Sequence, residues 1–97
     1  MRLRVTRRAA TQIENALDYI AADSPQGANH VRGRIQALFQ LLTQHPYAGQ
    51  STDLPGVRRL TLSPHPYLIF YRITDSEVII QRVRHTSRRS RSASGRP

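Results

Sequence analysis

The sequence predicts a two-layer α+β domain in which a helical hairpin packs on one face of a small sheet. Two adjoining segments, residues 7–22 and 25–44, repeat apolar side chains at helical steps. Three later runs, Val57–Leu62, Tyr67–Ile73 and Glu77–Arg84, are rich in β-branched, aromatic and leucine residues and are bounded by turn formers. A short alternating stretch, Arg2-Leu3-Arg4-Val5-Thr6, precedes both sets. The expected order is strand, helix, helix, then three antiparallel strands.

The alternating stretch suits a first strand, and the Thr6 hydroxyl can cap the helix that follows. Ala9, Ile13, Ala16, Leu17 and Ile20 fall mainly on one face of that helix. Asp23-Ser24-Pro25 marks a break and a restart, with Ser24 as N-cap and Pro25 in the first helical position. Ala28, Val31, Ile35, Leu38, Phe39 and Leu42 then form the buried stripe of a second helix ending near Gln44 or His45. A link this short makes the two helices an antiparallel hairpin.

His45-Pro46-Tyr47-Ala48-Gly49 ends the second helix, and a polar loop, residues 50–56, leads to the strands. Two prolines in Ser63-Pro64-His65-Pro66 separate the first two runs, and Thr74-Asp75-Ser76 is a link of hairpin length. In the Tyr67–Ile73 run, Tyr67, Ile69, Tyr71 and Ile73 share one face while Leu68, Phe70 and Arg72 share the other. Apolar residues on both faces mark a central strand. Arg58 and Arg59 point to opposite faces.

The chain has 97 residues, enough for one domain with a single core. It has no cysteine, so disulfides and thiolate zinc sites are excluded, and no apolar run reaches the roughly 20 residues of a membrane span. MRLRVTRR lacks the apolar region of a signal peptide, which makes the cytoplasm the expected location. All fifteen basic residues are arginine and the net charge is +9. The charge is uneven: residues 1–56 hold six arginines and four carboxylates, residues 57–97 nine and two. Such a field favours a polyanionic partner, nucleic acid or acidic protein. Residues 89–97 form an arginine- and serine-rich stretch read as a flexible tail on a domain spanning 1–88. His30, His45 and His65 lie on unrelated elements without ligand spacing, so neither metal nor cofactor is expected.

With these residues laid out, the chain resembles the RelE/ParE superfamily of toxins from type II toxin–antitoxin systems. The resemblance rests on Ala9-x-x-Gln12-Ile13-x-x-Ala16-x-x-Tyr19-Ile20 followed by Ser24-Pro25-x-x-Ala28, and on Pro46-x-x-Gly49. It continues in Val57-Arg58-x-Leu60, Pro66-Tyr67-x-Ile69-x-Tyr71-Arg72 and Val83-x-His85-x-x-Arg88. It covers residues 3–88 and implies the strand–helix–helix–three-strand fold already inferred.

Two activities follow from the resemblance. RelE-like members cut messenger RNA on the ribosome; ParE-like members trap DNA gyrase. Both are neutralised by an antitoxin, expected to be acidic and to fold as it binds. Cleavage through a 2′-hydroxyl needs an acid, a base and cations around one phosphate. His85 with Arg59, Arg82, Arg84 and Arg88 can be assigned those roles, Arg59 standing where ribonuclease members place a basic residue. Leu68, however, occupies the position where such members carry an arginine, and no second acid–base group follows Thr86. The ParE-like reading is therefore preferred, with Arg58, Arg72, Arg84 and Arg88 as candidates for contact with antitoxin or target. The antitoxin is expected on the outer surface of the first helix and near Arg58 or Arg72. A third reading is a non-catalytic nucleic-acid-binding module, which steep salt dependence would reveal.

Overall fold

The computed structural model describes residues 1–87. Strand β1 (Arg2–Val5) leads into helix α1 (Arg7–Asp23) and helix α2 (Pro25–Gln44). Strands β2 (Gln50–Ser51), β3 (Val57–Thr61), β4 (Tyr67–Ile73) and β5 (Glu77–His85) follow. The five-stranded sheet has the order β1-β5-β4-β3-β2, with β1 parallel to β5 and the other pairs antiparallel. The α+β expectation holds. The addition is β2, a two-residue edge strand inside the segment expected to be a polar loop. Arg88 and the proposed tail, 89–97, lie outside the described residues.

Local chemistry explains the helix boundaries. Thr6 Oγ1 accepts from the Ala9 N–H at 3.1 Å. Ser24 is the whole link between the helices: its N–H donates to Ile20 O at 2.8 Å, and its hydroxyl accepts from the Gly27 N–H at 2.9 Å. One residue thus closes α1 and opens α2, which holds the hairpin tight.

The core lies between the hairpin and one sheet face. Ala9, Ala16 and Leu17 of α1 and Val31, Ile35, Leu38 and Leu42 of α2 pack on Tyr67, Ile69, Tyr71, Val78, Ile80 and Val83. Every one of these is nearly inaccessible to water, so the layer contact supplies most of the hydrophobic stabilisation. No helix among the described residues is long and apolar enough to cross a membrane.

Among the described residues, the second sheet face carries no helix. Cross-strand partners project to the same side, so the pairing of Arg59 with Phe70, Thr61 with Leu68 and Arg72 with Ile79 assigns these residues to that open face. Strand β4 alternates as its sequence predicts, Tyr67, Ile69 and Tyr71 buried and Leu68 and Phe70 half-buried, in the centre of the sheet.

Candidate functional site

The site is made by an irregularity. Along β4–β5, Phe70 pairs with Arg82 but Tyr71 pairs with Ile80, so Gln81 is an extra residue on β5. Strict alternation from the buried Val78 and Ile80 would turn residues 82 and 84 into the core. The bulge reverses the phase, sending Val83 and His85 to the helix side and Arg82 and Arg84 to the open face. Helix α1 and its cap satisfy the disturbed backbone: Gln12 Oε1 accepts from the Val83 N–H at 2.7 Å, and the Thr6 hydroxyl donates to Gln81 O at 3.4 Å.

On the open face Arg82 and Arg84 lie beside one aromatic ring, their guanidinium carbons 5.2 and 5.5 Å from the Phe70 centroid. Together with Arg8 from the first turn of α1 and Arg59 from β3, they line a groove of about 840 Å³. Asp53 and Leu54, from the segment after β2, form its opposite rim. Burial, then the charges of Arg8 and Arg84, hold Arg82 below the usual guanidinium value. Among the described residues the ion pair is Arg4 with Glu77, 3.3 Å apart, so none of the groove arginines has a carboxylate partner. The Nε of Arg84 is buried without a hydrogen-bond partner among those residues.

The helix side treats its arginine differently. Arg58 Nε and Nη2 donate to Gly49 O at 3.1 and 2.8 Å, Nη2 also reaches Tyr47 O at 3.4 Å, and Nη1 reaches Ser51 Oγ at 3.3 Å. The same guanidinium lies over the Tyr47 ring at 5.2 Å. Beside it the buried Tyr71 hydroxyl donates to Pro46 O at 2.7 Å and accepts from the Gly49 N–H at 2.9 Å. A Cβ on Gly49 would lie 2.5 Å from Arg59 O and 2.6 Å from the Tyr71 hydroxyl oxygen, so only glycine fits there. Pro46, Gly49, Arg58 and Tyr71, spread over 26 residues of sequence, thus form one lock that fastens the end of α2 to β3 and β4.

The residues expected from the sequence divide accordingly. Arg59, Arg82 and Arg84 share the open groove, and Arg72 lies on the same face. Arg58 is committed to the lock. His85 faces the helix side opposite Tyr67, with ring centroids 5.1 Å apart at 84°, and its Nδ1 accepts from the Ser87 N–H at 3.1 Å. The structure therefore does not bring His85 together with the groove arginines. Arg88 lies outside the described residues. The sequence reading missed Arg8, which enters from another layer, and Gln12, whose motif position carried no stated role. The available signal for the bulge was the three-residue step from Ile80 to Val83 in an otherwise alternating strand.

Comparison with known proteins agrees with this architecture. Residues 3–90 match the family described as ParE toxin of type II toxin–antitoxin system, parDE. A candidate toxin of Sinorhizobium fredii, Y4kP, is 34% identical over 79 residues, covering 80% of this chain and 82% of that protein. Toxin RelE2 of Caulobacter vibrioides is 32% identical over 83 residues, covering 86% and 92%. Among solved structures, a chain of the chromosomal ParDE system of P. aeruginosa superposes with a TM-score of 0.78 at 30% identity, covering 90% of this chain and 97% of that one. A YoeB/ParE toxin of Agrobacterium tumefaciens, at 16% identity and a TM-score of 0.64, shares the fold over 88% and 98%.

Proposed function

The chain belongs to the ParE toxin family of type II toxin–antitoxin systems, and from that premise we propose that it arrests growth by acting on DNA gyrase and is held inactive by a cognate antitoxin. It is the toxin of a ParDE-like module. The observation that carries the gyrase reading over messenger-RNA cleavage is the division of the candidate residues between two sheet faces. Acid–base cleavage of RNA needs imidazole and phosphate-binding cations at one phosphate. Here His85 stacks edge-on against Tyr67 on the helix side, while Arg59, Arg82 and Arg84 line the open groove. An arrangement of this kind suits binding and leaves the groove without an imidazole.

The antitoxin reading draws on charge and on exposed apolar groups. Tyr19 on α1 is 62% exposed, and Tyr47 and Leu54, flanking β2, are 69% and 62% exposed. An acidic, amphipathic segment that folds on binding would find apolar anchors in these residues and ion-pair partners in the arginines. Because Arg58 already holds the 47–51 segment, Arg72 is the better candidate for such pairs.

The test is purified chain added to gyrase supercoiling and DNA-cleavage reactions, alongside a ribosome-programmed messenger-RNA cleavage assay. The expected result is lost supercoiling and accumulated cleaved DNA, unchanged in His85→Ala and suppressed by the cognate antitoxin. RNA cleavage that His85→Ala abolishes would reverse the assignment.

A further inference from the structure

We propose that the open sheet face is a DNA-backbone-binding surface, with Arg8, Arg82 and Arg84 around Phe70 holding phosphates of a duplex. Under the gyrase reading, on which the biological setting alone rests, the toxin would meet DNA together with the enzyme that holds it.

Three observations converge on an anion. Three guanidiniums are gathered on one side of a groove with no carboxylate in ion-pairing range among the described residues. Arg82 is held below the usual guanidinium value first by its partial burial and then by the charges of Arg8 and Arg84, and an anion seated among these guanidiniums would offset that repulsion. Arg84 Nε is a buried donor without a partner among the described residues, and a turn of that guanidinium toward a bound oxyanion would supply one.

The shape of the charge favours a polymer of phosphates over an acidic peptide. Register puts Arg2, Arg4 and Arg72 on the same face; Glu77 shares that face and pairs with Arg4 at 3.3 Å, so Arg2 and Arg72 are the cations that extend the field beyond the groove. Phe70, the aromatic floor that a peptide would use as an apolar anchor, already has a guanidinium on each of two neighbouring strand positions. Asp53 stands on the β2 side, which directs a phosphate track to the opposite rim, where Arg8, Arg82 and Arg84 are.

The experiment is fluorescence anisotropy of a short mixed-sequence DNA duplex titrated with the full chain over a series of salt concentrations. Each phosphate contact contributes about 0.9 to the slope of log affinity against log salt. Arg82→Ala and Arg84→Ala are each expected to lower that slope by about one unit and weaken binding roughly tenfold at moderate salt. Arg84→Lys, which keeps the charge and the fold but loses the fork, should retain most of the slope. Arg32→Ala removes the same charge from the exposed surface of α2 and should leave the slope unchanged. Equal slope losses in Arg32→Ala and Arg84→Ala would overturn the proposal in favour of diffuse net charge. Displacement of the duplex by polyglutamate, with tighter binding and the same dependence on Arg82 and Arg84, would overturn it in favour of an acidic protein segment. The gyrase reading is tested separately. Wild-type chain that binds DNA through these arginines but leaves gyrase untouched upholds the surface and defeats that reading. Arg82→Ala and Arg84→Ala chains that lose DNA affinity yet trap gyrase fully uphold both the surface and the gyrase reading and show that the poisoning does not use the surface.

Discussion

Arg58 and Arg59 are neighbours on one strand, and their surroundings differ in kind. Arg58 faces the helix layer, where its guanidinium donates to two backbone carbonyls and a serine hydroxyl and lies over Tyr47. Arg59 is exposed on the open face, in a groove shared with Arg8, Arg82 and Arg84 and without an ion pair among the described residues. The first arginine has been used to build the fold. The second has been left for something outside it. Residue type alone does not separate these roles; the two-residue period of a strand does, since it sends adjacent side chains into different environments.

The contrast predicts opposite responses to substitution, and the largest effect belongs to the lock. Gly49→Ala is expected to cost about 3 kcal/mol or more, because the Cβ meets Arg59 backbone as well as the Tyr71 hydroxyl; urea denaturation would measure it. A loss below about 1 kcal/mol would mean that the loop is not held as described. Next come Tyr71→Phe, which strands the buried Gly49 N–H, and Arg58→Ala, which removes charge-assisted bonds to Gly49 O. Each is expected to destabilise by about 2 kcal/mol. Both act on Gly49, so a double-mutant cycle should show coupling of about 0.5 kcal/mol or more, and simple additivity would break the lock into independent parts.

Gln12→Ala sharpens the comparison from the other layer. It leaves the Val83 N–H at the bulge unsatisfied, at about 1–2 kcal/mol. The specific readout is hydrogen exchange at Val83, which should accelerate more than exchange at Ile80 on the same strand. Uniform acceleration along β5 would assign Gln12 a general packing role instead. The smallest effects on stability are expected on the open face. Arg59→Ala and Arg82→Ala should change unfolding free energy by no more than about 0.5 kcal/mol, with Arg82→Ala the more favourable because it removes a partly buried charge and its repulsion with Arg8 and Arg84. Both should reduce toxicity in growing cells. Destabilisation by either comparable to that of Arg58→Ala would erase the distinction between the faces.

Much of this was legible from residues in order. The caps at Thr6 and Ser24, the apolar stripes of both helices and the alternation of β4 are local signals, and the structure repeats them with boundaries shifted by a residue or so. Strand β2 was not legible: Gln50 and Ser51 have no strand character of their own, and they pair only because the lock at Gly49 brings them beside Arg59 and Arg58. The groove was half legible. Arg59, Arg82 and Arg84 could be named as cations, but their grouping depends on Gln81, and nothing local announces that Arg8 joins them.

The sequence by itself determined the order of elements, the two-layer class and the excess of arginine on the later strands, because helix and strand periods and charge are properties of neighbouring residues. Tertiary structure alone decided which arginines are spent and which remain. That choice follows from a bulge satisfied by a glutamine 71 residues away and from a tyrosine hydroxyl reaching a loop 22 residues earlier. Distances of that kind are set by packing of the layers, and no window along the chain contains both partners.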